Sequence, residues 1–192
     1  MSRQTWQEAV SWVTAAGTAI ATSTTETILV PNVTVPANYM ADGRVLLVKA
    51  TGAYGTTSTP TLTFAVRWGG VAGTVIAKSG AAVTTSGTGG GASMTALWTA
   101  EFVIQTRSNG ATGTLFTNGE VVLFTSTVGT AGTVTNYGMP VVLASGSTGG
   151  TTPVAVTCGL TADTALSFTA TWGTSNAANS IRCDTYVVQS LN

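Results

Sequence analysis

Histidine is absent from the chain. That removes the commonest general base, the commonest metal ligand and the base of ordinary serine or cysteine triads. Charge is almost as scarce: seven basic and seven acidic side chains make up 7% of the 192 residues, against about a quarter in a typical soluble protein. They stand singly along the chain and sum to zero, so no field exists to gather nucleic-acid phosphates or an acidic membrane, and neither is expected as a partner. Long apolar runs are missing too. No stretch of about 18 uncharged apolar residues occurs, and Met1-Ser2-Arg3-Gln4-Thr5-Trp6 lacks the apolar segment of a secretory signal. The expectation is a soluble product made and kept in the cytoplasm.

Cysteine is limited to Cys158 and Cys183, too few for a disulfide framework and without a second pair at metal-site spacing. Two buried free thiols are expected; a single bridge between neighbouring strands is the alternative, and it requires Cα atoms within about 7 Å. No cofactor and no metal are expected.

What the chain does have is threonine, about a fifth of all residues, and glycine, both far from ordinary usage. Threonine favours strands and glycine favours turns. At this length one domain can bury a sizeable core. Low charge also means weak repulsion between copies, which suits a protein held in a permanent assembly; the alternative is a soluble monomer with a threonine-rich surface.

The first segment reads differently from the rest. Thr5-Trp6-Gln7-Glu8 has the spacing of a capping box, and Trp6, Ala9, Val10 and Val13 recur at helical spacing, which predicts a short N-terminal helix or docking arm within residues 1–20. A single β-sandwich domain is expected over 21–192. In it Leu62, Phe64, Val66 and Trp68 alternate with polar or small neighbours, as do Met94 to Ile104 and Leu166 to Trp172, the period of a strand with one buried face. Arg107-Ser108-Asn109-Gly110 closes the second of these with a turn signal. Asn118-Gly119 either makes a hairpin between Leu115-Phe116 and Val121-Val122-Leu123-Phe124 or kinks one strand. A final strand runs from Ile181 to about Gln189, and weaker ones fall at 28–35, 44–53, 71–77 and 137–144. No crossover helix separates any of these, so the strands are antiparallel. Eight or nine strands with uneven loops fit a two-sheet sandwich of jelly-roll type, with Phe64, Val66, Trp98, Phe102, Phe168 and Trp172 in its core. The glycine runs at 87–91 and 146–150 read as loop tips.

Candidate chemistry is thin. Glu8, Glu26, Asp42, Glu101, Glu120, Asp163 and Asp184 stand one by one, where a glycosidase needs two carboxylates flanking a cleft; Glu101 and Glu120 are the pair that could meet across neighbouring strands. Gly87-Thr88-Gly89-Gly90-Gly91 lacks the Lys-Ser or Lys-Thr and the helix of a phosphate loop. Cys158 lacks a histidine to activate it. Asn32-Val33-Thr34 matches a glycosylation acceptor but has no secretory context. Trp68, Trp98 and Trp172 share phase with aliphatic neighbours, which favours core packing over a sugar platform. Trp6 and Trp12 lie outside the strand pattern, where a large ring often docks on a partner; with Arg3 and Glu8 they form the expected interface. No catalytic residue is identified.

Three stretches carry a likeness: Ser2-Arg3-Gln4-Thr5-Trp6-Gln7-Glu8-Ala9, Leu62-Thr63-Phe64-Ala65-Val66-Arg67-Trp68-Gly69 and Ala170-Thr171-Trp172-Gly173-Thr174-Ser175-Asn176-Ala177-Ala178-Asn179-Ser180-Ile181. With them the chain resembles, over nearly its whole length, a family of small Thr/Ala/Gly-rich virion structural proteins of tailed phages, particularly those infecting actinobacteria. The resemblance implies a jelly-roll module that decorates the capsid or belongs to the tail, and it supplies no catalytic residues. The expected partners are further copies of the chain, as a homotrimer, and the major capsid protein; the alternative is a tail module that binds a receptor or a host-surface glycan.

Overall fold

The computed structural model describes residues 7–57, 60–84, 94, 96–124, 138–146 and 152–191. Among them the period-two alternation is realised as strands throughout, with no helix. The elements are β1 (Glu8–Trp12), β2 (Ile20–Ala21), β3 (Thr27–Ile28), β4 (Val33–Val35), β5 (Val45–Gly55), β6 (Thr61–Trp68), β7 (Thr74–Ser79), β8 (Ala82–Val83), β9 (Ala96–Ser108), β10 (Gly113–Phe124), β11 (Gly138–Ser145), β12 (Val156–Cys158), β13 (Thr164–Trp172) and β14 (Ser180–Ser190). They form one open antiparallel sheet in the order β1-β14-β5-β9-β10-β11-β7-β6-β13-β3, with β2, β4, β8 and β12 paired alongside it.

The eight strands of six residues or more pair in a nested way. The first (β5) lies beside the last (β14), the second (β6) beside the seventh (β13), the third (β7) beside the sixth (β11), and the fourth (β9) beside the fifth (β10). The sheet curls, so that the inner faces of β6 and β13 meet that of β9. Phe64 stacks on Phe168 at 5.8 Å between ring centroids, and Trp98 and Phe102 of β9 reach Phe168 at 6.2 and 5.3 Å. All six residues expected in the core are buried. Trp68 and Trp98 also satisfy their indole N–H groups, which donate to the carbonyls of Gly159 and Arg182.

Two glycines show how tightly this is built. Asn118-Gly119 makes neither a hairpin nor a break, because β10 runs through it and pairs with β9 from Leu115 to Leu123. A side chain on Gly119 would collide with the neighbouring strand, at 2.3 Å from both the Glu101 carbonyl oxygen and the Cβ of Phe102, its register partner; the glycine is there to admit the close approach of β9, not to turn the chain. Gly52 has the same task for Trp98: any Cβ there would fall 2.0 Å from the Arg182 carbonyl oxygen, the atom to which Trp98 donates at 3.0 Å.

The N-terminal helix is not what forms. Thr5 and Trp6 lie outside the described residues, but Glu8–Trp12 is an edge strand on β14. The physical reason is that one or two turns of isolated helix are marginal in water, whereas the edge of β14 offers a row of backbone partners. Val10 and Val13 then pack against the core, so part of the stretch expected to act as an arm belongs to the sheet. The glycine-rich segment 87–91 also lies outside the described residues, as do residues 147–150 of the second one.

Candidate functional site

Of the four residues expected to form an interface, Arg3 and Trp6 lie outside the described residues, and Glu8 and Trp12 stand at opposite ends of β1. Glu8 accepts a hydrogen bond from the Tyr39 hydroxyl at 2.9 Å. Arg44 sits over the Tyr39 ring at 4.4 Å from its centroid, so Glu8 closes a small surface cluster. Trp12 has no such company among the described residues: 62% of it is exposed, although a tryptophan carries a large apolar surface to leave in water.

Beyond Trp12 the chain leaves β14. The Val13 amide still donates to the Tyr186 carbonyl and the Gly17 amide to that of Cys183, but the residues between bow outward. The result is a pocket of about 340 Å³ walled by Trp12 to Gly17 and by Leu29, Val30 and Pro31, with Cys183 at its base. Its lining is mostly apolar. The edge itself is guarded: the register of β1 on β14 shifts between Ala9 and Ser11, a bulge of the sort that discourages another strand from adding on. Trp12 and the pocket are thus what this edge presents outward.

Cys183 has no nucleophilic chemistry to offer the pocket. Burial pushes its thiol up to about 12, aided by the nearby Asp184 carboxylate, and burial pushes Cys158 up to about 11. Both are free and stay protonated at neutral pH, where only a thiolate would attack.

Glu101 and Glu120 do meet. They are register partners on β9 and β10, on the outer face, with Lys49 of β5 at 3.1 Å from Glu101. Both line two surface pockets, one of about 560 Å³ with Val103, Asn118 and Val142 and one of about 220 Å³ with Lys49, Thr99 and Val122. Both carboxylates are exposed.

The most enclosed of the charged pairs, like the others, escaped the sequence reading. Glu26, just before β3, receives Arg67 Nε and Nη2 at 2.5 Å each, and Arg67 Nη1 donates to the Gly73 carbonyl. The Arg67 hydrogen bonds hold the Glu26 carboxyl below its usual range against the opposing effect of burial, and the Thr169 hydroxyl adds to the lowering. The residues are 41 apart in sequence, with no motif to join them; the even spacing of Arg67 on a strand was the only signal. Their geometry is that of a structural clasp, with each guanidinium nitrogen donating to protein.

No family model matches the chain, and neither any curated protein nor any solved structure is similar to it at a significant level.

Proposed function

We propose that this chain is a non-catalytic structural protein of a phage virion that decorates the capsid surface, associating with copies of itself, as a trimer, and with the major capsid protein. The observation that carries this reading is Trp12, a largely exposed indole on an edge strand beside an apolar pocket; buried aromatic anchors of this kind dominate association energies. The sequence resemblance, the near absence of charge and the lack of histidine support it. For the fold we propose a jelly-roll type of sandwich, because nested pairing of first with last and second with seventh strands is how a long hairpin rolls up.

The same indole supports a second reading, a tail-borne module that stacks a host-surface sugar on Trp12. Cryo-electron microscopy of particles carrying Trp12→Ala separates the two. Density on the capsid surface that falls at least tenfold in occupancy, with the circular dichroism of the purified variant unchanged, is the expected result; on the order of 2 kcal/mol for an anchoring tryptophan predicts it. Density on the tail, with glycan binding lost in the variant, favours the second reading. Unchanged occupancy at either location overturns the role given to Trp12.

A further inference from the structure

The chain contains two Asn-Gly pairs, and the fold treats them oppositely. Asn109-Gly110 lies in the turn that joins β9 to β10, and Asn118-Gly119 lies within β10. Both asparagines are exposed, so access of water does not distinguish them. The backbone does. In the turn, the Gly110 amide donates to the side-chain oxygen of Asn109 at 2.7 Å. The carbon bonded to that oxygen, Asn109 Cγ, is the one this nitrogen attacks when an asparagine closes on its own backbone. Gly110 has no Cβ to obstruct the approach, and its positive φ is one that glycine adopts freely. The Asn109 amide in turn donates to the Asp42 carboxylate at 2.5 Å, which holds the asparagine in this pose.

We infer that Asn109 is a site of spontaneous covalent modification, where the Gly110 nitrogen displaces the side-chain amide and the turn passes to aspartate and isoaspartate, while the sheet protects Asn118. Base removes the proton from the Gly110 nitrogen, which bonds to Asn109 Cγ. The bond from Cγ to the side-chain nitrogen breaks, and ammonia leaves with a proton from solvent. Water then opens the succinimide. Breaking the new bond at Cγ leaves aspartate; breaking the original peptide bond leaves isoaspartate, with the main chain running through Cβ. Water is consumed, ammonia is released, and nothing is oxidised or reduced. Nucleophile and carbon already held together make such an intramolecular step fast.

At Asn118 the same closure requires the chain to turn about the bond between Cα and the carbonyl carbon, out of the extended strand. Gly119 has a register partner on each side, Phe102 of β9 and Leu143 of β11. Turning there breaks pairing in the middle of the sheet, where backbone groups need their partners. At Asn109 the Gly110 amide is bound to the very group that reacts. The product also alters the turn. Each conversion adds a carboxylate beside that of Asp42, in a chain whose formal net charge is zero. Isoaspartate lengthens the main chain just before the Gly110 carbonyl, which accepts from the Gly113 and Leu160 amides.

Incubation of the full chain at mildly alkaline pH, followed by peptide mapping, tests the inference. Chymotrypsin cleaves after Phe102, Phe116 and Phe124 and so places the two asparagines on separate peptides. In the folded protein the Asn109 peptide is expected to gain the mass of an amide exchanged for a carboxylate at least about tenfold faster than the Asn118 peptide, since misplaced reacting atoms carry a penalty of that order or more. In concentrated urea the two are expected to convert at similar rates. The Asn109 product is expected to contain isoaspartate, detected by enzymatic methylation. An acidic species growing on ion exchange in the wild type is expected to be strongly reduced in Asn109→Gln, whose longer side chain closes the ring poorly. Equal rates for the two asparagines in the folded chain, or a faster Asn118, overturn the inference. So do a difference that persists in urea, an Asn109 product of aspartate alone, or an acidic species that grows as fast in Asn109→Gln as in the wild type.

Discussion

The two halves of the curled sheet bury their residues by different rules. In β9 and β10, and over most of β5 and β14, the faces alternate: inward side chains such as Val48, Trp98, Val121 and Val188 are buried, and outward ones such as Lys49, Glu101, Glu120 and Thr185 face water. In β6, β7 and β13 both faces are largely enclosed. Ser167 and Thr169, on the polar phase of β13, are as buried as Phe168 between them. The difference teaches that a polar residue at an outward position in a strand does not imply a wet face. It implies either water or a dedicated partner, and here the partner comes from residues 26–32: Ser167 donates to the Asn32 amide oxygen and Thr169 to Glu26.

The largest expected effect breaks the contact between the halves. Trp98 touches Phe64 and Phe168 across the core and donates to Arg182. Trp98→Ala removes all three and leaves a cavity bounded by rings that cannot close it. It should destabilise the protein by about 3–5 kcal/mol. Leu97→Ala, one residue away on the wet face, should stay within about 0.5 kcal/mol. Urea denaturation of the two variants checks the contrast, and equal losses would contradict the burial assigned to β9.

A smaller effect belongs to the enclosed half alone. Glu26→Gln keeps the shape but leaves the Arg67 guanidinium without its carboxylate. A partly buried charge stripped of its partner should cost about 1–3 kcal/mol. The pH dependence follows in sign. The Glu26 carboxyl is held below its usual value of 4.5, chiefly by the Arg67 hydrogen bonds. The folded state therefore binds its proton less readily than the unfolded state. Its contribution is complete above about pH 4.5 and is lost as the pH falls from there through the lowered value. Acid titration of stability should show a steeper decline in the wild type than in Glu26→Gln; parallel curves would remove Glu26 from the account.

These two regions also mark what could be read in the sequence. The long strands were legible because Leu62 to Trp68, Ala96 to Ile104 and Leu166 to Trp172 each repeat a hydrophobic period of two, which burial of one face makes compulsory. The turn after β9 was legible in Asn109-Gly110, where Gly110 takes positive φ. Glu8 to Trp12 was not. Its few residues fit a helical period and a strand period equally, and the choice was made by an open edge of β14 some 175 residues downstream. Gly119 misled for a related reason: beside an asparagine it signals a turn, and the close approach of Glu101 and Phe102 on another strand is what requires it. Of the expected interface, the exposure of Trp12 was legible from its place outside the strong alternation, whereas the pocket beside it depends on Leu29 to Pro31, which only the tertiary fold brings near.

The smallest effect sharpens the comparison by reversing its sign. Across the wet face Glu101 has Lys49 on one side and Glu120 directly opposite on the other, so one neighbour attracts it and the other repels it. Like charges placed opposite each other in a sheet are unfavourable, and an opposite pair is worth about 0.2–1 kcal/mol. Glu120→Lys replaces repulsion with attraction and should raise stability by about that amount, with Glu120→Gln gaining the smaller share that comes from losing the repulsion alone. Because these groups stand in water, the gain should fade in about 1 M salt, where the screening length is only about 3 Å. The loss in Glu26→Gln should resist the same salt, since Arg67 and Glu26 are mostly shielded by protein. Thermal melts of the two variants at low and high salt measure both effects together. A gain at position 120 that survives high salt, or a loss at position 26 that vanishes in it, would exchange the roles assigned to the two halves.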